Sequence, residues 1–171
     1  MINKWNDVGA STPTRSTLWD SSWPRLVGGP RRSKLLGYFQ NRFGIDLHVF
    51  DHLILLERPQ AYWLLTHSPH VLKLKKLKVH NTGIPALRKM KDHIKPTTTA
   101  IQMVGANATK NVVILEKEQL VRVLTEGNVS LSLPVSRGYV ILAYDHHTLG
   151  CGLYTGSKLI GQIPRSYISY P

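Results

Sequence analysis

Apolar residues in this chain come in short runs broken by turn residues, and that pattern limits the fold more than any other. Runs at residues 53–56, 61–66, 139–144, 148–154 and 159–163 are strand-sized and bounded by Pro, Gly, Asn, Asp, Thr or Ser. The first two flank Glu57-Arg58-Pro59-Gln60, and a proline inside so short a connection predicts a β-hairpin. The last three are separated by Asp145-His146-His147 and Thr155-Gly156-Ser157 and predict a meander. Its first member, apolar on both faces, would be central. Several short strands with tight turns point to a small closed barrel.

Helical periods are fewer. Leu35, Phe39 and Phe43 fall at i, i+4 and i+8, with Leu36 widening the stripe, while Arg32, Lys34, Gln40 and Arg42 point elsewhere. Gly44 supplies the stop. Pro96 followed by Thr97-Thr98-Thr99 predicts a capped helix start, with Ala100, Ile101 and Val104 on one side and Gly105 ending it. Residues 116–126 predict a further helix, acidic at its start and closed by Gly127. The expected class is α+β: a small N-terminal α/β unit followed by a C-terminal β-barrel with short helices. Within the 171 residues the divisions fall at 1–30 (an extended or disordered arm), 31–88 and 89–171. The arm holds Trp5, Trp19 and Trp23, three of the four tryptophans. These rings either dock on the folded body or stack on bases beside Arg15 and Arg25.

Charge narrows the choice of partner. Lys and Arg exceed Asp and Glu by 12, and the sequence pI is near 10.0. Residues 71–95 hold eight basic side chains against the single acid Asp92. Residues 25–42 hold five and no acid. A lysine run alone is often the solvated face of an edge strand, here residues 71–79 with Leu72 and Leu74 alternating against Lys73 and Lys75. Two basic segments in one small chain point instead to a phosphate-binding groove. Its candidates are Arg31, Arg32, Lys34, Lys73, Lys75, Lys76, Lys78, Arg88 and Lys89.

Catalytic patterns are weak by comparison. Gly28-Gly29-Pro30 lacks phosphate-loop spacing, and Leu149-Gly150-Cys151-Gly152 precedes a strand rather than a helix. His48 and His52, or His67 and His70, have ligand-like spacing, but Pro69 interrupts the second pair and no HExxH arrangement occurs. Cys151 is the only cysteine, which excludes an intrachain disulfide and suits a reducing compartment. Between two glycines in an apolar strand it is an ordinary buried thiol. No apolar stretch approaches the ~18 residues that span a bilayer, and the first residues lack a signal-peptide core. A cytoplasmic, non-enzymatic protein with no cofactor, no metal and no membrane partner is expected.

The C-terminal half carries a resemblance. Lys95-Pro96-Thr97-Thr98, Gln102, Gly105, Lys110-Asn111, Gly127, Gly138-Tyr139-Val140 and Leu149-Gly150-Cys151-Gly152-Leu153-Tyr154 resemble a PUA-type RNA-binding domain. Order and spacing are most similar to the module following the catalytic domain in Sun-type RNA cytosine-5 methyltransferases. Ile163-Pro164-Arg165 resembles the end of its archaeal versions, and Arg42-Phe43-Gly44-Ile45 with Tyr62-Trp63-Leu64 resembles the preceding pre-PUA element. The resemblance implies an RNA-binding module without the S-adenosylmethionine-binding domain. It would serve ribosomal or transfer RNA modification or ribosome biogenesis, beside an RNA methyltransferase or a ribosome-assembly protein. Read from their chemistry, Lys95, Thr97 and Thr98 stand at a helix start, as an ordinary cap or a phosphate site. Gly150 and Gly152 leave one strand face bare, for barrel closure or for an approaching RNA backbone. Arg165 adds a rim charge. An adaptor that docks on protein through an apolar barrel patch is the alternative function.

Overall fold

The computed structural model describes residues 24–76 and 81–164. Strands β1 (Arg25–Val27), β2 (Leu53–Glu57), β3 (Ala61–Thr66), β4 (Ile84–Lys89) and β5 (Ile94–Pro96) form an antiparallel sheet in simple sequential order. Its centre is the expected hairpin, closed by the Arg58 amide donating to the Ala61 carbonyl at 2.9 Å. Helix α1 (Gly29–Phe43) has Pro30 in its first turn, where a missing N–H costs nothing. It ends at Gly44, whose φ of 65° lets its amide return to the Gln40 carbonyl.

Alternation decides which sheet face α1 covers. Leu53 and Leu55 of β2, with Tyr62 and Leu64 of β3, share one core with Leu36, Phe39, Phe43 and Phe50. The Phe39 and Phe50 rings lie 5.2 Å apart. Ala100, Ile101 and Val104 of α2 (Thr98–Val104) extend the same core.

The second sheet comprises β6 (Val112–Ile114), β7 (Asn128–Ser130), β8 (Gly138–Tyr144), β9 (His147–Tyr154) and β10 (Lys158–Gly161), ordered β6-β8-β9-β10-β7. The meander is as expected, with its first strand β8 inside the sheet between β6 and β9, and the class is α+β. The expected closure into a barrel does not occur among the described residues. Strands β6 and β7 stand at opposite edges, and α3 (Lys117–Thr125) carries the chain between them. That helix packs on β7 and β10 and places Val123 in a second core with Val140, Leu142 and Leu159. A capping box between Glu116 and Gln119 fixes its start.

Four further details fill in the layout. β1 lies within the supposed arm, because its backbone pairs with β2 from Arg25 opposite Glu57 to Val27 opposite Leu55. The division at 88/89 falls inside β4, so the first sheet continues to Pro96. Ile141 and Cys151 of the second sheet join the first core, so the two units share it. Finally, the basic strand at 71–79 is not a strand where it is described: Val71–Lys76 is a 3-10 helix. The free edge of β3 is taken directly by β4, leaving the lysine segment nothing to pair with. Turns from the Ser68 carbonyl to the Val71 amide and from His70 to Lys73 wind it instead.

Candidate nucleic-acid interface

Register and alternation assign residues to the face of the first sheet turned away from α1. Trp63 pairs with Leu56 on one side and Pro85 on the other, and Leu56 pairs with Leu26. These four form an apolar cross-strand row in which Leu56 is fully buried, Trp63 and Pro85 are half-buried and Leu26 is exposed. Two residues along, Ala61 lies between Arg58 of the hairpin turn and Arg88 of β4, and Arg88 pairs with Lys95 of β5. A row of three cations therefore crosses the sheet beside the apolar row. Adjacent strands lie ~4.8 Å apart and alternate residues ~6.7 Å apart, so the cation row spans about 14 Å.

No carboxylate pairs with this row among the described residues. The Arg58 guanidinium sits 4.7 Å from the centroid of the Trp63 ring, a stacked cation–π arrangement. Its N–H groups have no hydrogen-bond acceptor among the described residues, although the side chain is half-buried. Arg88 is exposed and likewise unpartnered there. Lys95 donates to the Gln162 amide oxygen, a neutral partner that leaves its charge intact.

Several predicted residues are committed elsewhere. On the α1 side, Glu57 accepts from Arg31 at 2.7 Å and Lys89 at 2.6 Å, and Arg31 also reaches the Tyr62 hydroxyl. Burial works to raise the Glu57 carboxyl, but the hydrogen bonds and charges of Lys89 and Arg31 together outweigh it and hold it below its usual value. Arg31 and Lys89 thus face an acid, on the opposite side from the Arg58 row. Arg32 donates to the Phe50 and Leu53 carbonyls at 2.8 and 3.1 Å, tying α1 to β2. Lys34 is exposed on α1, and Lys73 is exposed on the 3-10 helix. Lys75 and Lys76 belong to that helix, with side chains outside the description. Lys78 and Arg165 lie outside the described residues, as do Trp5, Arg15, Trp19 and Trp23.

The helix start and the glycines serve the fold. Thr97 caps α2 by accepting from the Ala100 amide at 3.1 Å and donates to the Pro85 carbonyl. Thr98 donates to the Gln162 carbonyl and accepts from the Cys151 amide. Both hydroxyls are buried and taken, so neither is free for phosphate. A methyl group at Gly150 would lie 2.5 Å from the Thr98 methyl, and one at Gly152 2.8 Å from Leu142. The close approach that bare strand face permits is made by this chain's own side chains. Cys151 beside them is fully buried, and desolvation pushes its thiol up to about 12, which leaves no thiolate at neutral pH. Among the described residues no three His, Cys, Asp or Glu converge on a metal-sized site.

Two residues of the open face were missed by sequence reasoning. Trp63 looked like one more strand residue, and Arg58 like turn filler. The signal lay in the hairpin itself: a turn residue and the second residue after the turn partner share one face. Arg42, one of the five cations of residues 25–42, ties α1 to β8 and the loop before it by donating to the Tyr139 and Ser136 carbonyls at 2.6 and 2.7 Å. No protein-family model and no curated protein matches the sequence. No helix among the described residues is long and apolar enough to cross a membrane.

Proposed function

We propose that the protein is a non-catalytic RNA-binding protein that works in ribosomal or transfer RNA maturation. The observation that supports this most is the row Arg58–Arg88–Lys95, a line of cations with no acid among the described residues of its sheet face. Only Arg31, Lys89 and Arg122 pair with carboxylates among the described Lys and Arg residues, so most of the described cations keep an unneutralised charge. A polyanion neutralises such a surface and releases its own counterions on binding. The resemblance to PUA-type modules favours RNA among polyanions, and an RNA methyltransferase or ribosome-assembly factor as a companion.

A salt titration of RNA affinity tests the reading. Three phosphate contacts give a log–log slope of about −2, and five to eight give about −4 to −6. A fall of roughly tenfold or more between 50 and 200 mM salt is expected on that scale. A flat titration overturns RNA binding and leaves the adaptor function.

A further inference from the structure

We propose that the face of the first sheet turned away from α1 binds an unpaired stretch of RNA, with phosphates along Arg58, Arg88 and Lys95 and a base against the half-buried Trp63–Arg58 pair. This rests on the RNA-binding reading above and specifies which form of RNA that surface takes. The two rows run parallel across the same strands, one cationic and one apolar, ~6.7 Å apart. A single strand has the same division, with charge along one edge and flat apolar rings along the other. The Arg58 guanidinium lies over the Trp63 ring with N–H groups that no described acceptor takes, so it can give those donors to a phosphate while the pair offers its π surface to a base. Leu26, 54% exposed at the β1 end of the apolar row, extends the shelf. Ala61 stands between Arg58 and Arg88 and keeps the cation row low, so a backbone can lie across it.

Pairing removes what this surface uses. In an A-form duplex the bases are stacked on each other and the major groove is deep and narrow, so no ring reaches a sheet face. An acidic peptide would satisfy the cations but offers no flat rings for the Trp63–Arg58 stack.

The test compares a labelled oligouridylate with a duplex RNA of equal length, using the full chain and fluorescence anisotropy. Trp63→Leu keeps apolar bulk while removing the stacking ring, and Arg58→Ala removes the guanidinium from a turn. Each is expected to weaken oligouridylate binding about tenfold, the scale of one lost base–aromatic contact. Duplex affinity should stay within about twofold for Trp63→Leu, since phosphate contacts alone carry it. Equal losses on both RNAs, or no loss on oligouridylate, in variants with wild-type circular dichroism overturns the proposal. Should Trp63→Leu fail to fold, Trp63→Met, which also removes the ring and leaves every cation in place, decides between the same outcomes. If the wild-type chain binds neither RNA, the RNA-binding reading falls with it. If it binds both and the variants do not discriminate, only the single-strand assignment falls.

Discussion

The two sheets handle their open faces in opposite ways. The second sheet uses glycine at Gly150 and Gly152 to admit its own neighbours, Thr98 of α2 and Leu142 of β8. The first sheet covers one face with α1 and builds the other from Trp63, Arg58 and Arg88, with guanidinium groups that no acceptor in the described chain satisfies. Bareness of backbone and availability for a ligand are thus different properties. A glycine face is bare because something already fills it, whereas a stacked arginine with free donors still has bonds to make.

Gly150→Val breaks the second half of this comparison most severely. The residue has a φ of 150°, outside the range a β-branched side chain adopts readily, and its Cβ would meet Thr98 at 2.5 Å. Strain and overpacking together cost about 3 kcal/mol, read as a lowered urea midpoint. Any RNA affinity lost should return in proportion to the folded fraction. Binding lost in a fully folded Gly150→Val protein would restore the glycine strand to the interface.

Arg32→Ala separates arginines that look alike in sequence. Arg32 holds the Phe50 and Leu53 carbonyls, and removing it leaves partly buried acceptors unpaired. Destabilisation of about 2 kcal/mol is expected, with RNA affinity unchanged for the folded protein. Such residues mark the limit of what the chain discloses before folding. The hairpin, the three helices and the meander were all legible, because each depends on local turn chemistry and periodicity. Barrel closure was not, since it depends on whether β6 and β7 meet, and α3 spans the gap between them. The division of the arginines was also hidden. Arg31, Arg32, Arg42 and Arg88 differ only in which carbonyl or carboxylate the tertiary fold brings within reach.

Glu57→Gln sharpens the contrast between the two faces of the first sheet. The folded carboxyl lies below its usual value, so its contribution is present above the unfolded value and is lost as pH falls through the folded one. At neutral pH the variant should be less stable by about 1–2 kcal/mol, measured by denaturant melts. The difference from wild type should shrink as pH drops below about 4. A constant difference across that range would mean that Glu57 acts by packing alone, and that Arg31 and Lys89 are freer for phosphate than their ion pairs imply.

Arg88→Ala and Lys34→Ala give the smallest effects and the finest distinction. Both side chains are exposed, and neither has an acidic partner among the described residues. Removing either should leave stability within about 0.5 kcal/mol. Arg88 lies in the cation row of the open face, while Lys34 projects from α1, which covers the other face. If phosphates follow the row, Arg88→Ala reduces the magnitude of the salt slope for single-stranded RNA by about 0.7, and Lys34→Ala leaves it unchanged. Equal reductions would mean that RNA senses only the net charge of the molecule. The register of β3, β4 and β5 would then have no part in recognition.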